Sequence, residues 1–281
     1  MSRRTAASIV AASALLGAAL AGVAAGAPGD DSAGTARYKP RPPDVHWTPK
    51  TRPARRYAKR RQGDVRFAVV DLRGRLRKLN GGRTAPSASV VKVMLMVAYL
   101  RRGSVDDRDL RAADRRLLGP MIRASDNGAA TQVRNIVGEA GLRRLAHKAG
   151  MRDFGYRPVW GQIRIGARDQ ARFMYRLERY LPRRHEPYAR RLLAGIVPAQ
   201  RWGVARARPT GWTLRFKGGW GIGDSVNHQV ASLERRHCRV AVAILTEGSP
   251  GHEYGQRTLK GVSVRLFRGL GSKRVRRACG P

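Results

Sequence analysis

The run Ser89–Arg101, SVVKVMLMVAYLR, is apolar nearly all round, and Lys92 is its one polar interruption before Arg101. A helix without a polar face has to be enclosed by other elements on every side. That demand excludes a small or open fold and calls for a layered domain with this helix inside it. The rest of the chain can supply the layers, because 42% of its 281 residues are hydrophobic and wholesale disorder is thereby excluded. The length suits one large domain or two small ones. Two cysteines are too few for a disulfide-dense scaffold or a four-cysteine zinc module.

Strand signals flank a helical middle. Val65–Leu72 reads as a strand, Arg73-Gly74 as a tight turn and Arg75–Leu79 as the returning strand. From Asp106 to about Leu193 the pattern is helical, with breaks expected at Gly119-Pro120, Gly128, Gly150 and Pro158. Thr213–Lys217, Val226–Leu233 and Cys238–Leu245 read as strands, the last two joined by Glu234-Arg235-Arg236-His237. Tyr254–Leu270 returns to a helical period. The first and last strands then share one antiparallel sheet. The expected fold is α+β: an antiparallel sheet flanked by helices, with an all-helical subdomain inserted.

The termini read differently from this domain. Arg3 and Arg4 precede an uncharged, Ala- and Gly-rich stretch that ends in small residues, which fits a secretory signal peptide over residues 1–25. That stretch is weak as a membrane span, so a secreted protein with no stable span after cleavage is expected, with association to the cell wall as a further expectation. Residues 26–62 hold five prolines between Pro40 and Pro53 among basic residues and read as a basic, extended linker. Residues 63–272 are the expected domain and residues 273–281 a basic tail. In an exported protein Cys238 and Cys279 could pair and pin that tail; two free thiols are the alternative.

Three short motifs carry the chemistry. Ser89-Val90-Val91-Lys92 puts a hydroxyl and an amine one turn apart on one helix face. A lysine in an apolar helix is costly while charged, and a desolvated amine beside a serine is one way to activate a nucleophile. Ser125-Asp126-Asn127 follows an apolar-periodic segment, and Lys217-Gly218-Gly219 ends a strand. Taken singly, these read as a helix cap, a turn and a Gly-rich strand end.

Together and in this order they resemble the Ser-x-x-Lys, Ser-Asp-Asn and Lys-Thr-Gly set of class A β-lactamases and penicillin-binding proteins. The resemblance spans roughly Gly63 to Leu270. It implies a penicillin-recognising serine hydrolase. Ser89 would be the acylated nucleophile, Lys92 would take or tune its proton, and Ser125 would relay a proton to the leaving nitrogen. Asn127 would contact the substrate amide, Lys217 the substrate carboxylate. The oxyanion would be held by the backbone N–H groups of Ser89 and of Trp220, beside Gly219. No cofactor and no metal is implied, and the substrate would be a β-lactam or a peptidoglycan-peptide-like molecule.

Two departures qualify the resemblance. Gly218 stands where the family has a threonine, which puts carboxylate recognition in doubt. The family's loop glutamate, which activates the deacylating water, has no counterpart: Gly155–Arg164 (GYRPVWGQIR) offers only Gln162. Acylation with slow deacylation is therefore expected. The alternatives are a cell-wall peptide-directed peptidase or esterase, and a catalytically silent cell-wall binding module.

Other chemistry is poorly supported. The six histidines form no close ligand pair with another His or Cys beyond adjacent His237-Cys238, which a strand would point to opposite faces. Trp160, Trp202 and Trp220 could line a cleft, although ordinary packing is the expectation. The net charge of +38 would suit nucleic acid, yet no nucleic-acid-binding motif accompanies it. The basic surface is expected to meet anionic wall polymers instead.

Overall fold

The computed structural model describes residues 43–221 and 223–280. The proposed signal peptide, and the linker as far as residue 42, lie outside them. In chain order the elements are α1 (Thr51–Lys59), β1 (Asp64–Val70), β2 (Leu76–Leu79), β3 (Thr84–Pro86), α2 (Lys92–Leu100), α3 (Ala112–Arg123) and α4 (Asn127–Lys148). Then come β4 (Arg164–Gly166), α5 (Ala167–Tyr175), α6 (Glu186–Ala194), β5 (Thr213–Gly221), β6 (Val226–Arg235), β7 (Cys238–Glu247), α7 (His252–Leu266) and α8 (Lys273–Ala278).

Five strands form one antiparallel sheet in the order β2-β1-β7-β6-β5. The first strands of the chain therefore do pair with the last. Both faces of this sheet are covered. On β6, Gln229 faces the segment around Val204, while its neighbour His228 bonds Pro86 on the other side. Helix α5 packs on β1, β6 and β7, and α7 packs on β6 and α1. Coverage on both faces explains why β6 and β7 are buried along nearly all their length, and why β7 reads as a continuous apolar run from Val240 to Leu245.

The inserted helices α2, α3 and α4 pack together, and every residue of α2 is buried, Lys92 included. Helix α3 runs through Gly119-Pro120 instead of breaking there. A proline inside a helix forfeits one backbone bond, and here burial of Leu118, Met121 and Ile122 on either side of it holds the helix together. The break falls instead at Ser125, which has φ +62°. The next residue, Asp126, caps α4 by accepting from the Ala129 N–H at 2.6 Å. A two-stranded sheet, β3 with β4, was not expected from the sequence. Strands of three residues leave too short a pattern to read.

One terminal expectation is corrected and one open alternative is decided. Residues 51–59 are not extended linker but a packed helix. Pro53 falls in the first turn, where a missing N–H removes no helical bond. Ala54 and Ala58 are buried four residues apart, and a Cβ at Gly261 of α7 would lie 2.3 Å from the ring of Tyr57. At the C-terminus the first of the two cysteine alternatives is the one the structure has, and the basic tail is pinned. Its residues form α8, with Val275 buried, and Cys279 is disulfide-bonded to Cys238 at a Cα–Cα distance of 5.5 Å.

A second tie joins distant segments. Glu178 and Glu234, both nearly inaccessible, are ion-paired with Arg190, Arg215 and Arg239. The cluster links α6, β5, β6 and β7 at the sheet end away from the Ser89 turn.

The disulfide closes a segment 41 residues long in sequence. Its reduction, or Cys279→Ser, should lower stability by about 2–4 kcal/mol, as expected for loops of this order. Thermal melts with and without reductant check this.

Candidate active site

Ser89 sits on a 3₁₀ turn, Ala88–Val91, that leads directly into α2. In a 3₁₀ turn residues three apart eclipse one another, so Ser89 and Lys92 share a face. The turn is entered through Ala88 at φ +44°, a left-handed conformation that costs an alanine of order 1–3 kcal/mol. Ser87 fixes that entry: its N–H donates to Ile163 O at 2.8 Å, and its hydroxyl to Trp160 O at 3.0 Å. The Ser89 turn is thus held against the loop that follows α4.

Lys92 is buried but fully engaged. Its Nζ donates to Ser125 O at 2.6 Å, to Ser125 Oγ at 3.2 Å and to Asn127 Oδ1 at 2.8 Å. Burial pushes its pKa down to about 8, against the opposing pull of the Asp126 carboxylate. The left-handed Ser125 is what turns both its carbonyl and its hydroxyl toward the amine.

Strand β5 closes the other side. A Cβ at Gly219 would lie 2.6 Å from Ser89 N and 2.9 Å from Val90 N, so only glycine admits this approach of strand edge to turn. Trp220 follows it, half-buried. Lys217 is wholly buried, and its Nζ donates to Gly218 O at 2.8 Å. Burial, then the charge of Lys92, drives Lys217 toward its neutral form.

All seven residues singled out from the sequence therefore border one place, where α2, α4 and β5 meet. A hydroxyl at a helix start, a partly deprotonated amine beneath it, a second hydroxyl on that amine and two converging backbone segments can together support acyl transfer. Three tryptophans pack nearby, in keeping with ordinary packing: Trp202 is in the core, and Trp160 and Trp220 lie against it. The Trp160 ring lies 4.6 Å from Lys92 Nζ, and its Nε1 donates to Thr131 Oγ1 at 3.2 Å. Trp202 covers Gly218: a Cβ there would meet its ring at 3.2 Å. His252 completes a triangle with Trp202 and Trp220, at centroid distances of 5.1 and 5.5 Å. The absent threonine was the one sequence signal for this, since a glycine in its place leaves room for a large ring.

The stretch 155–164 contributes no carboxylate. Asp153, just before it, pairs with Arg168 at 2.7 Å, and Gln162 is exposed. Among the described residues no cluster of His, Cys, Asp and Glu could hold a metal ion, and no helix is long and apolar enough to cross a membrane.

Residues 113–269 match the sequence profile of the beta-lactamase enzyme family. No curated protein matches the chain by sequence. Among solved structures, a beta-lactamase from Sphaerobacter thermophilus superposes with a TM-score of 0.69 at 20% identity, over 81% of this chain and 98% of that one. A class A beta-lactamase from Mycobacterium abscessus gives 0.67 at 18%, over 79% and 100%. A structure described as PBP-A gives 0.66 at 16%, over 79% and 95%. At these identities the likeness establishes the fold.

Two outcomes follow from the geometry. Gly219→Ala should lower acylation of Ser89 by about 10²-fold or more, as loss of an oxyanion donor does, with circular dichroism reporting on the fold. Because only neutral Lys92 can accept a proton, the acylation rate should rise about tenfold per pH unit below its pKa and level off above about 8. Stopped-flow acylation across pH 6–10 checks the profile.

Proposed function

The chain belongs to the beta-lactamase enzyme family of serine hydrolases, and on that premise we propose that it is an exported enzyme that forms an acyl-enzyme at Ser89 with β-lactams or related amides and esters and releases the acyl group slowly. The observation that carries this reading is the placement of Lys92: buried, partly neutral near physiological pH and bonded to the hydroxyl of Ser125.

In this reading Ser89 Oγ attacks the carbonyl carbon and its proton passes to Lys92. The oxyanion of the tetrahedral intermediate accepts from the backbone N–H groups of Ser89 and Trp220. As the C–N bond breaks, Ser125 gives its proton to the leaving nitrogen and is reprotonated by Lys92. The hydroxyl proton has then moved to the amine, and both lysine and Ser125 are restored. Asn127 holds Lys92 in place and offers its amide N–H to the substrate. Lys217, beside the strand edge, keeps a polar contact near the acyl group.

Deacylation needs a proton acceptor for the attacking water. The only carboxylate in the loop after α4, Asp153, is ion-paired with Arg168, and the Trp160 ring lies against Lys92. Loss of a positioned acid–base group lowers a rate by about 10²–10⁴-fold, which supports a long-lived acyl-enzyme. The Cys238–Cys279 disulfide supports an oxidising, extracytoplasmic location. The excess of basic residues supports a salt-sensitive hold on anionic wall polymers. A silent binding module would not require the Ser89, Lys92 and Ser125 arrangement.

Incubation with benzylpenicillin followed by intact-mass spectrometry should show one added acyl group that persists over many cycles of dilution, and none in Ser89→Ala. Rapid loss of the adduct with multiple turnovers would refute slow deacylation, and no adduct with any β-lactam or activated ester would refute the acyl-enzyme itself.

A further inference from the structure

A buried histidine holds the Ser89 segment from the sheet side. On β6, His228 stands directly opposite Gly219 of β5, and residues so paired put their side chains on the same sheet face. The Ser89 turn sits on that face, since a Cβ at Gly219 would meet Ser89 N at 2.6 Å and Val90 N at 2.9 Å. The His228 ring is wholly buried, and both of its nitrogens are engaged. Nδ1 accepts from the Thr246 N–H at 3.1 Å, so the proton lies on Nε2, which donates to Pro86 O at 2.8 Å. One imidazole thus joins β6, β7 and the chain three residues before Ser89.

The Pro86 carbonyl needs this donor. Pro86 is buried at the end of β3, and Arg164, the residue opposite it on β4, gives its N–H to Gly155 O instead. A buried carbonyl without a donor is costly. The bonds of Ser87 run the other way, to Ile163 O and Trp160 O in the loop after α4. Gly219 permits the close approach of β5 to the turn, but a missing side chain holds nothing in place. The bond from His228 does hold it, and it acts two residues before the left-handed Ala88. Burial biases the imidazole toward its neutral form, against the backbone groups it bonds and the Glu247 carboxylate. The acceptor at Nδ1 and the donor at Nε2 therefore both persist.

Resting on the acyl-enzyme reading above, we propose that His228 is the positioning residue of the oxyanion site: through its bond to Pro86 it sets how far the Ser89 turn stands from β5, and so the spacing of the Ser89 and Trp220 N–H groups. It touches no substrate and takes no proton. The bond changes are those already given: the Ser89 ester forms, the bond from the carbonyl to the leaving group breaks, and the Ser89 proton leaves through Lys92 and Ser125. Spacing matters because both donors must stand about 2.7–3.1 Å from the place where the oxyanion forms. A misplacement of about 1 Å in such a site lowers a rate by about 10²-fold. The two donors belong to segments far apart in the chain, one on the turn and one on β5. The cross-strand pair of His228 with Gly219 is what lets one side chain register the first against the second.

The test uses p-nitrophenyl phenylacetate and its thionoester, in which sulfur replaces the carbonyl oxygen, on the full-length protein. Acylation is read as the p-nitrophenolate burst and as mass added at Ser89. His228→Asn keeps an oxygen near the place of Nδ1 for Thr246 but does not reach Pro86. His228→Gln puts an N–H near the place of Nε2 and bonds Pro86, but leaves Thr246 without its acceptor. His228→Asn should slow acylation by the oxoester about 10- to 10²-fold, and His228→Gln should recover most of that loss. Sulfur is a weak acceptor and gains little from the two N–H groups. The oxo-to-thiono rate ratio should therefore fall about tenfold in His228→Asn and stay near that of the unmodified protein in His228→Gln. The ratio is internal to each protein, so a general loss of folding does not mimic the shift. No loss in His228→Asn, equal losses in the two variants, or a loss with the ratio unchanged overturns the inference while leaving the acyl-enzyme reading intact. No Ser89 adduct in the unmodified protein with either ester or with benzylpenicillin overturns both.

Discussion

Much of this molecule is arranged around the desolvation of one amine. Helix α2 has no polar face and is buried throughout, yet it begins with Lys92. An ammonium in that position is tolerable only if polar groups meet it and its charge can be shed. The sharp turn at Ser125 supplies the groups, through a carbonyl, a hydroxyl and the amide of Asn127 two residues on. Burial supplies the second condition by holding the pKa near 8. The arrangement that makes the lysine acceptable in the core is the one that makes it usable as a base beside Ser89.

The same constraint accounts for the strained positions. Ala88 and Ser125 both occupy left-handed conformations without being glycine. One enters the nucleophile turn, and the other aims the partners of Lys92. Strain of this kind persists where surrounding contacts over-determine it. Here those contacts are the bonds of Ser87 to the loop carbonyls and the Asp126 cap on α4. Gly219 plays a complementary part, for its missing side chain lets strand β5 come within reach of the turn.

Around this centre the chain departs from its family in a consistent direction. Gly218 lacks the threonine hydroxyl and the stretch 155–164 lacks a carboxylate, while the rings of Trp160 and Trp202 lie against Lys92 and Gly218. Both changes remove hydrogen-bonding capacity from the site. In the mechanism proposed above, such a site would leave an acyl-enzyme with fewer ways to be hydrolysed.

The sequence by itself determined the sheet strands, the buried helix, the order of the three motifs and the residues that carry them, because each rests on local spacing or a long apolar run. The continuous apolar run of β7 and the unbroken apolar surface of α2 leave strong patterns. It did not determine what Pro53 or the last nine residues would do, since α1 and α8 are held by Tyr57 on Gly261 and by the Cys238–Cys279 bond, contacts between residues some 200 and 41 positions apart. Nor could it say where Trp160, Trp202 and His252 pack. Their roles depend on which distant backbone each ring covers. That is decided when β5, the loop after α4 and the start of α7 are folded against one another, and no periodicity along the chain encodes it.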